Sequence, residues 1–147
     1  MNKLQEIPFA KWHLLHVELQ PHEKANLPLE AFGNLATSPS AAVWSYLYKG
    51  HVYGFYGYQW MRPGVLEIFI VPSIYVLEYP RQLYEIAKHH FEVAKRLPNL
   101  HRMQTFSWDH PVRNRFMERF GFTCEGVCRQ YTSDKQDYRM WSFIIGG

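Results

Sequence analysis

Cysteine is almost missing from this chain: Cys124 and Cys128 are the only two in 147 residues. Two are too few for a disulfide framework or a zinc site, so both read as packing residues. Long apolar runs are also missing. No window approaches the roughly 20 continuous apolar residues of a membrane span, and the N-terminal stretch lacks the basic-then-apolar order of a secretory signal. A cytoplasmic protein is the expectation. Charge of one sign is scarce as well, since 16 Lys and Arg against 13 Asp and Glu leave a formal +3. Without concentrated basic runs, a nucleic-acid footprint is unsupported, and Arg115 and Arg119 read as an ordinary solvated helix face. No phosphate-cradling glycine loop, Ser-His-Asp motif, metalloprotease helix or paired-cysteine pattern occurs, which removes positive support for the common enzyme classes they mark.

Aromatic residues are what the chain has in abundance, at 17%, with 10 Tyr, 10 Phe and 5 Trp. Such side chains suit half-buried strands and contact surfaces, so protein partners or self-association are expected. The length suits one domain, residues 1–147, able to bury a core without metal or disulfide help.

Periodicity outlines the elements. Phe9, Trp12, Leu15, His16 and Leu19 recur at helical spacing, predicting a first helix over Pro8 to Leu19 that Pro21 breaks. A connector with a short helix at Leu29 to Asn34 follows. Ala41 to Tyr48 and Val52 to Trp60 flank Lys49-Gly50-His51 and read as a hairpin. Val65 to Val71 is nearly all apolar, as for a central strand covered on both faces. Pro80 opens a long amphipathic helix carrying Leu83, Tyr84, Ala87, His90, Phe91 and Ala94 on one face, stopped by Pro98. A strand at Met103 to Trp108 precedes a helix with Asp109 as N-cap and Gly121 as its stop. Gly126 to Thr132 and Asp137 to Ile145 form a last hairpin.

This order, over about residues 41 to 145, resembles the GCN5-related N-acetyltransferase (GNAT) family. The segment Asp109-His110-Pro111-Val112-Arg113-Asn114-Arg115-Phe116-Met117-Glu118-Arg119-Phe120-Gly121-Phe122 looks like that family's last helix and its Gly-Phe, and Glu125-Gly126-Val127 follows suitably. The resemblance implies an α/β (α+β) fold with a central, mixed, mostly antiparallel sheet flanked by helices. It also implies acetyl-CoA as the cofactor, held by Ile70 and Val71 at the end of the central strand and by Tyr79, Arg81 and Gln82 where the long helix begins. In relatives a strand carboxylate acts as general base, a part Glu67 would take, and His110 stands where an asparagine often caps the last helix and is a second catalytic candidate.

Two departures stand beside the likeness. The family's Arg/Gln-x-x-Gly-x-Gly/Ala turn is replaced by Tyr75-Val76-Leu77-Glu78-Tyr79-Pro80. There Glu78 brings a like charge toward a pyrophosphate and Pro80 removes an amide donor. Met117 occupies the place of a tyrosine that protonates the leaving thiolate in many members, and methionine has no proton to give. The expected function is therefore a GNAT-like protein with a degenerate acyl-CoA site, serving as a structural or protein-interaction module. Small aromatic-rich chains of this kind also resemble acetyltransferase-like proteins of bacteriophage virions. The alternative is an active CoA-dependent N-acetyltransferase acting on an amine.

Other groupings read more plainly. His13 and His16, three apart, lack a nearby cysteine or carboxylate and read as packed or solvated, and no metal site is expected. His89 and His90 point to different parts of the helix surface and read as exposed and partly buried. The ladder from Trp44 to Trp60 reads as cross-strand packing before ligand stacking.

Overall fold

The computed structural model describes residues 3–146. It has a mixed α/β architecture around a seven-stranded sheet of order β1-β2-β3-β4-β5-β7-β6. The strands are β1 (Gln5–Pro8), β2 (Ala41–Tyr48), β3 (His51–Arg62), β4 (Val65–Pro72), β5 (Arg102–Trp108), β6 (Thr123–Cys128) and β7 (Tyr138–Ile144). The helices are α1 (Pro21–Asn26), α2 (Leu29–Ala36), α3 (Tyr75–Glu78), α4 (Pro80–Ala94) and α5 (Pro111–Arg119). β1/β2, β2/β3, β5/β7 and β6/β7 pair antiparallel and β4/β5 parallel. Among the described residues, no helix is long and apolar enough to cross a membrane. The described residues group into two compact units, one running to Gln59 and including Phe69–His90, the other Trp60–Ile68 with Phe91 onward.

In the first unit the β2–β3 hairpin turns on Lys49 and Gly50, with φ of 51° and 79°. Two positive φ values match the right-handed twist of the flanking strands. α2 supplies Phe32 and Ala36, one helical turn apart, to a core with Val43, Val52, Phe55 and Val71. Phe32 meets Phe55 at 5.9 Å and Phe69 edge-on at 5.7 Å, contacts worth about 0.5–1.5 kcal/mol each beyond area burial. Most of the hairpin's aromatic ladder is core, since Tyr46, Tyr48, Tyr53, Phe55 and Tyr56 are buried.

The expected first helix does not form. Residues Gln5–Pro8 instead extend the sheet beside β2, and the Phe9 amide still donates to the Val43 carbonyl. Only a 3-10 turn, Lys11–Leu15, follows. The open edge of β2 offers ladder partners that an isolated short helix cannot match. His13 reinforces the outcome, because its Nδ1 accepts from the Ala10 amide at 3.1 Å and lies 2.7 Å from Ser45 Oγ, consuming groups a helix would need. Pro21 opens α1 at its first turn, where its missing N–H costs nothing.

In the second unit, β4 pairs with β5 from Val65↔Arg102 to Glu67↔Gln104, and β5 pairs with β7 along its whole length. β4 is not covered on both faces here. Leu66 and Ile68 are buried while Val65 and Glu67 are half-exposed, so the strand reads as two-sided with a polar position. Gly121 has φ 83° and ends the last helical segment. The turn carries Phe122 inward against Phe91 at 5.3 Å and Phe143 at 5.7 Å. β6 starts directly after Phe122 and finishes at Cys128, earlier than the expected Gly126–Thr132 strand. The chain then leaves the sheet because Gln130 takes a positive φ and its amide donates to the Asp137 carboxylate at 2.9 Å. A bulge between Cys124 and Gly126 places Cys124 opposite Trp141 and Cys128 opposite Tyr138. Trp141 and Tyr138 lie three apart on β7, so the two thiols face opposite sides of the sheet and cannot join each other.

Candidate functional site

The turn joining β4 to α4 belongs to the first unit and is closed by its own hydrogen bonds. Ser73 donates twice to the Tyr53 carbonyl, from its amide at 3.1 Å and its hydroxyl at 2.6 Å. The Ile74 amide donates to Glu18 O at 2.9 Å, and the Tyr75 amide to Ser73 Oγ at 3.2 Å. Val76, Leu77 and Tyr79 donate to the carbonyls of Ser73, Ile74 and Tyr75, respectively, which makes the turn itself the short helix α3. Pro80 has no N–H to offer. Leu83, in the first turn of α4, donates its amide to the Tyr53 hydroxyl at 2.9 Å.

A helix start normally presents unsatisfied amides to an anion. Here Tyr53, fully buried, takes one of them and donates its own O–H to the Tyr79 carbonyl as a hydrogen bond. Burial pushes its phenol up to about 12, so it stays a neutral donor and acceptor. Of the five residues expected to hold acyl-CoA, Val71 is spent in the core, and Tyr79 contributes its carbonyl to Tyr53 and its hydroxyl to Lys49 Nζ at 3.1 Å. Ile70 and Gln82 are half-buried and Arg81 is exposed.

Glu67 and His110 fall in the second unit, and no contact joins them among the described residues. His110 is the N-cap of α5, its Nδ1 accepting the Val112 amide at 3.3 Å, and its ring lies 4.6 Å from that of Trp108. That corrects the expectation that Asp109 caps this helix. Asp109 instead accepts from Asn114 Nδ2 at 2.9 Å and pairs with Arg139 at 2.8 Å. The extended backbone at His110 aims its own side chain at the first turn.

Glu67 ends a chain of oriented polar groups. Gln104, directly across the parallel pairing, donates Nε2 to Glu67 Oε1 at 3.1 Å. Gln104 Oε1 accepts Arg102 Nε at 2.9 Å, and the rest of the Arg102 guanidinium grips Glu125 with two bonds of 2.8 Å. Ser142 donates to the same Glu125 carboxylate. These bonds draw the Glu125 carboxyl down to about 2, the Arg102 hydrogen bond being the largest cause. The strand alternation that makes Glu67 a candidate also puts Gln104 on its face, but the pairing of residues so distant in sequence carries no local signal. Tyr53 likewise escapes sequence reading, because only the folded hairpin brings it to Leu83.

Among the described residues no group of three or more His, Cys, Asp or Glu is placed to hold a metal ion. No family model matches the chain, and no curated protein matches it. Solved structures do match. An IAA acetyltransferase from Bacillus cereus has 14% identity and a TM-score of 0.72, with 97% of this chain and 100% of that one covered. An acetyltransferase of the GNAT family from Streptococcus pneumoniae has 16% identity and a TM-score of 0.71, covering 98% and 100%. Mutant forms of a spermidine/spermine N-acetyltransferase from Vibrio cholerae have 11% identity and a TM-score of 0.71, covering 96% and 93%. The fold is therefore that of GNAT acetyltransferases. At these identities the likeness extends to the fold and no further.

Proposed function

We propose that this chain is a binding module on a GNAT fold, whose acyl-CoA site has been closed by its own side chains and which works by holding a protein partner. The observation that carries the reading is the Tyr53 hydroxyl on the Leu83 amide, beside a turn in which the amides of Ser73, Ile74, Tyr75, Val76, Leu77 and Tyr79 already have acceptors. A pyrophosphate needs several converging N–H groups. Breaking the internal bonds to free them would leave buried carbonyls unpaired. The residues present therefore do not fit acetyl-CoA in its usual seat. Met117, buried on α5, has no proton for a leaving thiolate. Trp12, Leu15 and Leu77 stand exposed in the first unit and offer apolar surface for a partner to cover.

The alternative, an active N-acetyltransferase, draws on the half-exposed carboxylate of Glu67. Calorimetric titration with acetyl-CoA separates the two readings. No heat of binding at millimolar ligand is expected. Micromolar affinity would overturn the binding-module reading and restore the transferase.

A further inference from the structure

His13, buried on the 3-10 turn Lys11–Leu15, takes a part that glutamate or glutamine takes at the start of many helices. Ala10 is the N-cap and His13 the third residue of the turn, and His13 Nδ1 reaches back to accept the Ala10 amide at 3.1 Å. The same nitrogen lies 2.7 Å from Oγ of Ser45, a fully buried residue of β2. One side chain thus closes the turn on itself and pins it to the sheet.

The contact with Ala10 fixes the proton. A backbone N–H only donates, so Nδ1 must offer its lone pair, Nε2 carries the hydrogen and the ring is neutral. Ser45 then meets that nitrogen as a donor. A proton on Nδ1 would set N–H against N–H at Ala10 and require the Ser45 hydroxyl to reverse.

The surroundings do not compensate a charged ring. β2 faces His13 with Ser45, and the rings of Phe9 and Trp12 stand edge-on at 5.9 and 4.3 Å. On its own turn the titratable neighbours are basic: His16, and Lys11, which gives its ammonium to Asn34 of α2. No carboxylate contacts His13 among the described residues. Burial first, and then His16, hold its pKa below the ordinary histidine value.

We propose that the Lys11–Leu15 turn is a pH-gated latch, closed on β2 by neutral His13 and opened when that imidazole takes a proton. The turn carries Trp12 and Leu15, both exposed, so opening changes how this apolar surface is presented. The latch stands whether or not a partner uses that surface. The sign follows from linkage. The closed turn favours the neutral ring and the open turn the charged one, so closure is complete above about pH 6.5 and is lost as pH falls below it toward the lowered value of the closed state.

The test is amide exchange on the full chain by NMR from about pH 8 to about pH 5, each rate divided by that of an unstructured chain at the same pH. Protection at Ala10 and His13 is expected to fall by up to about tenfold per pH unit below about 6.5, while Phe55, in the middle of β3, keeps its own. Nitrogen-15 shifts of the His13 ring at the upper pH should show a bare Nδ1 and a protonated Nε2. His13→Gln supplies an acceptor for the Ala10 amide without a titrating group, so its turn should stay protected throughout. His90→Gln removes the other buried histidine and should leave the fall at Ala10 in place. The proposal is overturned by a protonated Nδ1 at the upper pH, by protection at Ala10 that does not change with pH, by a fall shared equally by Phe55, or by a fall that persists in His13→Gln. If His13→Gln does not fold, the ring shifts and the exchange pattern of the native chain decide by themselves.

Discussion

The hydroxyl of Tyr53 accepts the backbone amide of Leu83 at 2.9 Å and donates to the carbonyl of Tyr79, so one side chain of β3 holds both sides of the start of α4. A group buried this completely has no water to replace either bond.

Tyr53→Phe should therefore cost about 1–3 kcal/mol, the range for leaving buried polar groups unpaired. Urea denaturation measures the loss. Amide exchange at Leu83 should quicken more than at residues in the middle of α4. Unchanged exchange at Leu83 would mean that the hydroxyl does not hold the helix start.

His90 makes stability fall on mild acidification. It is buried, stacked on Tyr56 at 4.0 Å, and its Nε2 contacts the Tyr46 hydroxyl and lies 3.3 Å from Glu6. Burial draws its pKa down to about 4, against the opposing pull of Glu6. The unfolded chain, with an ordinary imidazole, binds the proton first. Its contribution is thus intact above about pH 6.5 and is lost as pH falls toward about 4. Denaturation midpoints taken across that window should decline, and His90→Gln should flatten the decline. A native midpoint constant from pH 7 to 4.5 would show that His90 is not held neutral.

Glu125 acts in a lower window. Its folded carboxyl titrates near 2 because of Arg102 and Ser142, so its contribution is present above the ordinary carboxylate range and disappears as pH falls from about 4.5 to about 2. The pair is partly open to solvent, with side-chain exposures of 20% and 37%, which limits the effect to less than about 1 kcal/mol. Glu125→Gln should lower stability at pH 7 by that small amount and leave it unchanged at pH 2. NMR titration of the Glu125 carboxyl tests the position directly, and a midpoint near 4.5 would contradict the bidentate pairing.

Gly54 is required by close backbone approach. A Cβ there would stand 2.7 Å from the Val71 carbonyl oxygen, a main-chain atom with little freedom to yield. Gly54→Ala should destabilise by about 1–3 kcal/mol, as overpacking does. A midpoint within experimental error of the native chain would show that β3 can shift without cost.

The hairpin at Lys49-Gly50, the β4 strand, the long helix from Pro80 and the stop at Gly121 were all legible, because each rests on local chemistry: turn-forming φ values, apolar runs, a proline at a first turn and a glycine at a last. The first helix was misread for an equally physical reason. Phe9, Trp12 and Leu15 have helical spacing, but spacing cannot reveal that β2 leaves an edge for Gln5–Pro8 to complete. At the candidate site the sequence alone determined that the glycine turn is missing, that Pro80 offers no amide and that Met117 replaces a proton donor. Only the tertiary structure decided that Tyr53 caps Leu83 and that Gln104, Arg102 and Glu125 align Glu67, because hydrogen bonds between residues 23 to 37 apart depend on strand register and not on neighbouring residue types.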